Sequence, residues 1–460
     1  MPAVNSLSHT LSRHLLAGLA ALALAGAAHG NCLDEEKLDA LPAMAAPGTP
    51  PPPPPVAPRA QLQQLVGDAL ARNHGVGAAR LLAEAAEQDV GEAEASKKPQ
   101  AMLTGSINPG LESSKGGNSS SLQARAGITL SQTLYDGGRA DRLVDWRRQQ
   151  AEAARLGMLS TQEQIALATV SMAFERSRFR MQAVIYSQNV RKLGCLVQAL
   201  ETIVAADKGR TSELVQARKQ LQQAELQQVQ AQSQARQVEA RMRRTVGDGL
   251  PGTDGMATLL LAVPELPQVL SAAEKSVEIS QLAANARALT EIARVVEAGN
   301  RPQVSWNVGG SALLSAGGGV TLSSPRSANL SAGVTLSVPI LNPAIEYSSQ
   351  AARKRAAAAD LQRADALEQR RQRIVDVHEQ AGAAFDRLKR VGLVLRDSDR
   401  LRNFTLQQWQ QMGRRSLFDV LATEGDHYNL RVQYVNALHD GQQMNAVLTS
   451  LGTGLSDWLK

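Results

Sequence analysis

A strand-like segment occurs twice in this chain, each time directly before a long helical pattern. Residues 126–136 read AGITLSQTLYD, and residues 332–342, 206 positions later, read AGVTLSVPILN, so that five of the eleven positions are identical. Both copies alternate small or apolar residues with polar ones, which is the period of a β-strand. The chain therefore repeats one structural unit, and each copy must be able to form the same fold.

Each copy has the predicted order helix–strand–strand–helix–helix. The helices are predicted over 61–97, 139–206 and 212–245, and again over 268–299, 345–412 and 417–450. The first structural repeat is predicted over 60–246 with strands near 100–110 and 121–134, and the second over 268–453 with strands near 302–314 and 327–340. A Gly/Pro-rich connector, 247–267, separates them.

The strands have about ten residues, the length of a tilted strand that spans a membrane. Four strands cannot close a barrel, because the smallest membrane barrels have about eight. An open sheet edge cannot face lipid, because its backbone groups would be unpaired there. If the strands span a membrane, several chains must therefore share one barrel. The alternative is an ordinary soluble hairpin packed against helices.

The N-terminal segment has the pattern of an export signal. A basic start followed by a short apolar run predicts a signal peptide over 1–30. A tail over 31–59 follows, and its row of prolines favours an extended segment outside any core. Cys32 leaves a lipidated N-terminus open as an alternative, but Asn31 stands where lipidation motifs have a small residue.

Composition favours long packed helices over a large globular core. Aromatic residues make up only 3% of the chain, and Ala, Leu, Gln, Arg and Glu are abundant. The net charge of +6 is dispersed along the sequence, so nucleic acid is not an expected partner. Neither Cys32 nor Cys195 has metal-ligand spacing, and a disulfide between them is left open as an alternative in an oxidising compartment. With no nucleophile–base pair and no phosphate loop, we expect no catalytic, cofactor or metal site and no enzyme activity.

Four segments together resemble the TolC family of outer-membrane channel-tunnel proteins, over about 60–453. These are DALARN at 68–73 with Pro-Gln at 99–100, LSQTLYDGGR at 130–139, LSVPILN at 336–342 and GRRSLFDVL at 413–421. The resemblance implies a mainly α protein with membrane β-strands. It implies a homotrimer with one twelve-stranded β-barrel in the outer membrane, continued by a long periplasmic α-helical barrel.

The function that the resemblance implies is an exit duct of a tripartite export machine. Its partners would be outer-membrane lipid, a membrane-fusion adaptor protein, and an inner-membrane ABC exporter or proton-driven pump. The apparent lack of a lipid anchor favours ABC-driven (type I) secretion of a protein such as an RTX-type toxin. Proton-driven efflux of small molecules is the alternative, and a periplasmic coiled-coil adaptor protein is an alternative of another class.

The strand-to-helix junctions have residues suited to a sharp change of direction. Gly137 and Gly138 tolerate unusual backbone angles, and Asp136 can cap the following helix. In the second repeat, Asn342 is an expected cap, with Pro343 at the first helical position. These five roles are structural.

The resemblance also implies a periplasmic gate at the helix tips. The matching residues are Glu213 in the first repeat, and Arg415 and Asp419 in the second. An Arg415–Glu213 link would brace neighbouring coils, and Asp419 would form a ring of carboxylates by symmetry. Two features depart from the family pattern: Ala422 stands where a second acid often occurs, and the first-repeat turn is about two residues shorter.

Overall fold

The computed structural model describes residues 57–114, 117–317, 327–412 and 415–460. The predicted signal peptide and most of the predicted tail, including Cys32, lie outside these residues. The first-repeat elements are α1 (Pro58–Arg72), α2 (His74–Ala95), β1 (Gln100–Ser114), β2 (Gly117–Tyr135), α3 (Arg139–Ala206) and α4 (Thr211–Val246). The second-repeat elements are α5 (Leu266–Ala273), α6 (Val277–Ala298), β3 (Gln303–Gly317), β4 (Ser327–Ser337), α7 (Pro343–Met412), α8 (Leu417–Leu451) and α9 (Leu455–Leu459).

Each repeat opens with two helices where the sequence predicted one. The first break is at Asn73, whose side-chain Oδ1 accepts a hydrogen bond from the Val76 backbone N–H at 3.1 Å and so caps α2. The second break separates α5 from α6 just before Ser276. Neither break contains Gly or Pro, and the apolar residues keep their helical spacing across both breaks. The sequence therefore predicted one continuous helix in each repeat.

The four strands form one antiparallel sheet in the order β1-β2-β3-β4. The two hairpins lie side by side, because β2 of the first repeat pairs with β3 of the second; Leu130, for example, is opposite Val308. A β-bulge interrupts this pairing between Thr133 and Tyr135. β1 and β4 are the two edges of the sheet.

Two long helices set the length of the molecule. α3 has 68 residues and α7 has 70, so each is a rod on the order of 100 Å long at about 1.5 Å per residue. α4 returns along α3, and α8 returns along α7. None of the helices in the described ranges is long and apolar enough to cross a membrane.

Small apolar clusters along the rods hold the helices together. At the far tip, Leu200, Leu214, Leu406 and Leu417 join α3, α4, α7 and α8 in one buried cluster. A second cluster near the connector joins α1, α3 and α4 to the C-terminal α9. Glu163 on α3 accepts hydrogen bonds from the first backbone N–H groups of α9 and fixes that helix in place. Both repeats are therefore packed into one elongated unit, with the sheet at one end and the helix tips at the other.

Candidate functional site

The first strand-to-helix junction is fixed by Asp136. Its Oδ1 accepts from the Gly138 backbone N–H at 3.0 Å, and its Oδ2 accepts from the Ala140 N–H at 2.7 Å. Gly137 and Gly138 have φ angles of 68° and 82°, the left-handed region that favours glycine. Arg301, just before β3, donates a hydrogen bond to the Gly137 carbonyl oxygen at 2.7 Å. The chain therefore turns from β2 into α3 at a rigid corner that is tied to the second repeat.

The second junction uses a proline at the helix start. α7 begins at Pro343, and the Ile345 N–H donates to the Asn342 carbonyl oxygen at 3.2 Å. Before the helix, Ile340 and Leu341 are almost fully exposed in the single chain. The second junction is therefore an uncovered apolar segment directly below the sheet.

One face of the sheet is apolar and the other is polar. A register row on the first face joins Leu103, Ile128, Gly310 and Leu330, and the three large side chains in it are 57–82% exposed. The neighbouring row on the opposite face joins Thr104, Gly127, Ser311 and Asn329. No other described part of the chain covers the large apolar side chains, so the sheet alone is an incomplete structure.

Two aromatic residues lie where the strands approach the helices. Trp306 on β3 donates from Nε1 to Gln132 Oε1 at 3.2 Å, and Gln132 Nε2 donates to the Lys97 carbonyl oxygen at 2.9 Å. Tyr135, at the end of β2, is more than half exposed. Membrane barrels have aromatic residues at this level, where apolar and polar surroundings meet.

Arg125 lies on the polar face of the sheet. Its register row joins Ser106 on β1, Leu313 on β3 and Ser327 on β4. Of the strand residues whose side chains the structure describes, Arg125 is the only charged one. The sequence analysis included this residue in the strand alternation and did not single it out.

The three predicted gate residues all lie at the helix tips, but the described chain does not join Arg415 to Glu213. Arg415 Nε donates to Gln408 Oε1 at 3.2 Å, and its Nη1 is 4.0 Å from Asp419 Oδ2. Asp419 and Ser416 form a capping box at the start of α8. Glu213 lies in the first turn of α4, and its Oε2 is buried without a hydrogen-bond partner in the described chain.

A buried ionic group lies behind the tip, and sequence reasoning missed it. Arg402 on α7 contacts Asp399 Oδ1 at 3.0 Å and Glu424 Oε2 on α8 at 3.4 Å. His427 is buried beside it, and burial together with the positive charge of Arg402 lowers the pKa of this histidine to about 3. The spacing of these residues in the sequence does not indicate that they are in contact, because α7 and α8 are antiparallel and bring them together from different turns.

Further up α8, buried polar side chains bind the two repeats to each other. His439 Nδ1 lies 2.8 Å from the Val435 carbonyl oxygen, and its Nε2 lies 3.1 Å from Ser177 Oγ on α3. Gln442 Nε2 donates to two carbonyl oxygens of the connector, at 2.8 and 2.7 Å, and Asn445 Nδ2 donates to two more. These side chains fix the connector against α8, a role for which the sequence analysis found no signal.

The described residues contain no cluster of three or more His, Cys, Asp or Glu side chains that could hold a metal ion. Cys195 on α3 is not a free thiol. The features that remain to define function are the two-faced sheet, its junctions and the helix tips. Together they have the arrangement expected of a channel-tunnel protein, with a two-faced sheet at one end and a long helical extension.

Comparison with known proteins agrees with this class. Residues 65–248 match the model of the outer membrane efflux protein family. The fold is similar to that of CusC, with a TM-score of 0.76 and 17% identity over 86% of this chain and 92% of that one. It is also similar to the outer membrane protein VceC of Vibrio cholerae, with a TM-score of 0.72 and 17% identity over 86% and 96%. For the open state of the MtrE channel of Neisseria gonorrhoeae, the TM-score is 0.67 and the identity is 16%, over 86% of this chain and 89% of that one. None of the curated proteins matches the chain in sequence.

The predicted resemblance is confirmed, because the first repeat matches the outer membrane efflux protein family and the similar solved structures are TolC-family channels. The predicted localisation in the outer membrane, with a periplasmic helical extension, is confirmed as well. Proteins of this family are transport ducts.

Proposed function

We propose that three copies of this chain assemble into the exit duct of a tripartite export machine. The observation that carries the proposal is the four-stranded sheet with two open edges, β1 and β4. An unpaired edge is unstable in lipid, because its N–H and C=O groups have no partners there. Pairing β4 of one chain with β1 of the next removes all edges when three chains close a twelve-stranded barrel.

The two faces of the sheet give this barrel its orientation. Leu103, Ile128 and Leu330 suit lipid, whereas the row through Ser106 and Arg125 suits a water-filled lumen. An arginine on the lipid side costs about 2–4 kcal/mol at the bilayer midplane, and a trimer would carry that cost three times. The apolar face is therefore the outer one.

The helical part has apolar residues that also need a neighbour. Leu226 on α4, Leu361 and Phe404 on α7 are all more than 60% exposed in the single chain. Contact with adjacent chains would bury them and form a hollow helical barrel that continues the lumen of the β-barrel through the periplasm. The helix tips would meet the adaptor protein and, through it, the energised inner-membrane component.

For the cargo, we propose ABC-driven secretion of a protein, with an RTX-type toxin as an example. The support is Asn31 before Cys32, which does not suit the lipid anchor common among dedicated efflux channels. Proton-driven efflux of small molecules through the same duct is the second candidate. Deleting the gene separates them: loss of a secreted protein supports the first, and increased drug sensitivity with an unchanged secretome supports the second.

The assembly itself is tested in detergent extracts of outer membrane. We expect a trimer that survives detergent without heating and that forms conducting channels in planar bilayers. A monomeric protein in the soluble periplasmic fraction would contradict the proposal and would instead support the coiled-coil adaptor alternative.

We propose that Glu213, Arg415 and Asp419 act in closing the periplasmic end. Glu213 has a buried oxygen without a partner among the described residues, and the Arg415 side chain is half exposed, so a neighbouring chain in the trimer would supply the missing contact. Arg415→Ala combined with Glu213→Ala is expected to leave trimers intact and to raise single-channel conductance. Arg210→Ala, at the exposed end of the first-repeat turn, is the matched control. Conductance equal to that of the control removes these residues from the gate.

A further inference from the structure

A single charge stands out on the polar face of the sheet. Arg125 is exposed, and it forms no ion pair among the described residues. The other described side chains of its face are Ser, Thr, Asn, Gln, Met102 and Leu313, with glycines between them. Glu112 is the only other charged residue of the four strands, six positions nearer the hairpin turn along β1 than Ser106, the partner of Arg125. That separation is roughly 20 Å at about 3.3 Å per residue.

The depth of Arg125 follows from the register. Arg125 is seven residues along β2 from Gln132, the partner of Trp306. At about 3.3 Å per residue and a tilt of roughly 40°, this places Arg125 about 18 Å from the aromatic level. An apolar membrane band is about 25 Å tall. Arg125 therefore lies inside the membrane-spanning part of the barrel and not in a hairpin tip.

Three-fold symmetry turns this side chain into a ring. Twelve strands about 4.8 Å apart and tilted by roughly 40° give a backbone radius of roughly 12 Å. An extended arginine reaches roughly half of that distance, so each Arg125 guanidinium would lie about 6 Å from the axis. This is shorter than the Debye length of about 10 Å at 0.1 M salt. Ions or cargo on the axis would therefore experience all three charges together.

We infer that Arg125 is a specificity-determining residue, which makes the barrel lumen selective for anions and for acidic segments of the cargo. The inference rests on the proposed trimeric duct with its polar face inward. Three unit charges about 6 Å away, in water and with screening at 0.1 M, enrich a monovalent anion at the axis by roughly seven-fold and deplete a monovalent cation by the same factor. The enrichment falls as salt rises, because the Debye length shortens to about 3 Å at 1 M.

The test is the reversal potential of single channels in a roughly tenfold KCl gradient at low salt. Each variant is measured twice, once in the parent background and once with Asp419→Asn added. The second series removes the carboxylates at the helix tips, so that their effect on ion selectivity does not mask that of the barrel. In that series we expect the parent channel to prefer chloride. Arg125→Gln is expected to lower the chloride-to-potassium permeability ratio about fifty-fold, and Arg125→Glu is expected to make potassium the preferred ion.

Position-matched variants separate the charge from the fold. Gln123 lies two residues before Arg125 on the same face of β2, so Gln123→Arg in the Arg125→Gln background should restore chloride preference. Arg80→Gln removes an exposed charge from α2, outside the barrel, and should leave the ratio unchanged. Arg125→Lys should keep it near the parent value.

The outcomes are distinct. If the parent protein forms no channel, the proposed function fails. If channels form but the ratio is the same for the parent and Arg125→Gln, the inference fails and the duct remains. If Arg125→Gln does not assemble, the channel with Arg125 intact decides. A potassium preference of that channel in the Asp419→Asn series overturns the inference. A chloride preference that is also found in Arg125→Lys supports it.

Discussion

His439 should make the folded protein sensitive to acid. Its ring is 2% exposed between α3 and α8, with Nδ1 against the Val435 carbonyl oxygen and Nε2 against Ser177 Oγ. A neutral imidazole satisfies both contacts, because Nδ1–H donates to the carbonyl and Nε2 accepts from the hydroxyl. Burial lowers the pKa of His439 to about 4, and the nearby charge of Arg178 acts in the same direction. A proton on this ring therefore opposes folding.

The magnitude follows from the difference between the folded and unfolded pKa values. The unfolded chain has a histidine pKa of about 6.5, so between pH 6.5 and 4 the unfolded chain binds more protons than the folded one. Acidification through this window therefore stabilises the unfolded chain, and above about pH 7 the effect vanishes. Integrated from pH 7.5 to pH 5, His439 alone lowers the free energy of unfolding by about 2 kcal/mol per chain.

The assay compares thermal unfolding of the parent protein and His439→Gln in detergent at these two pH values. The variant loses contacts at both pH values. The informative quantity is therefore how the difference in unfolding temperature between the two proteins changes with pH. For about 400 folded residues, 2 kcal/mol corresponds to a shift of roughly 2–3 °C, and the parent should lose that much more than the variant on acidification. His74→Gln, at an exposed histidine on α2, should behave like the parent. A difference between parent and His439→Gln that does not change with pH would refute the reasoning.

Three further substitutions test how the fold is held together. Asp136→Ala removes both capping bonds at the β2–α3 corner and should cost about 1 kcal/mol, seen as a lower dissociation temperature of the trimer. Gly441→Ala places a methyl group 2.8–3.0 Å from the Phe385 ring and should cost about 1–3 kcal/mol; Gly425→Ala, on the same helix with open space around it, should be neutral or stabilising in the same thermal unfolding assay. Glu163→Gln weakens the anchoring of α9 and should expose the C-terminus to limited proteolysis, with unchanged cleavage counting against that anchor.

The long helices could be predicted from sequence because their ends are marked by local chemistry. The predicted helix over 139–206 coincides with α3, which begins after two left-handed glycines and ends at Ala206, three residues before Gly209. The predicted end of β4, at 340, lies three residues too far. Pro339 has no backbone N–H to donate, and β4 ends at Ser337, before this residue.

What could not be predicted depends on partners distant in sequence. β1 and β2 extend further towards their turn than expected, since Gly, Ser and Asn there resemble a loop until an antiparallel partner supplies their hydrogen bonds. The contact between Arg402 and Glu424, and that between His439 and Ser177, joins residues on different antiparallel helices. The gate candidates came from resemblance, and their roles stay a prediction because the contacts in question lie between chains.

The pairing of β2 with β3 has a consequence for how the protein is made. Leu130 and Val308, which lie opposite each other, are 178 residues apart in the sequence, and joining such distant segments is slow. The first hairpin must therefore wait for the remaining helices of the first repeat, the connector and the start of the second repeat, and the outer edges must wait for other chains. During that time β1 and β4 are exposed strand edges of the kind that promote aggregation. The second copy of the duplicated strand lies in β4, so this copy needs protection during export until a neighbouring chain pairs with it.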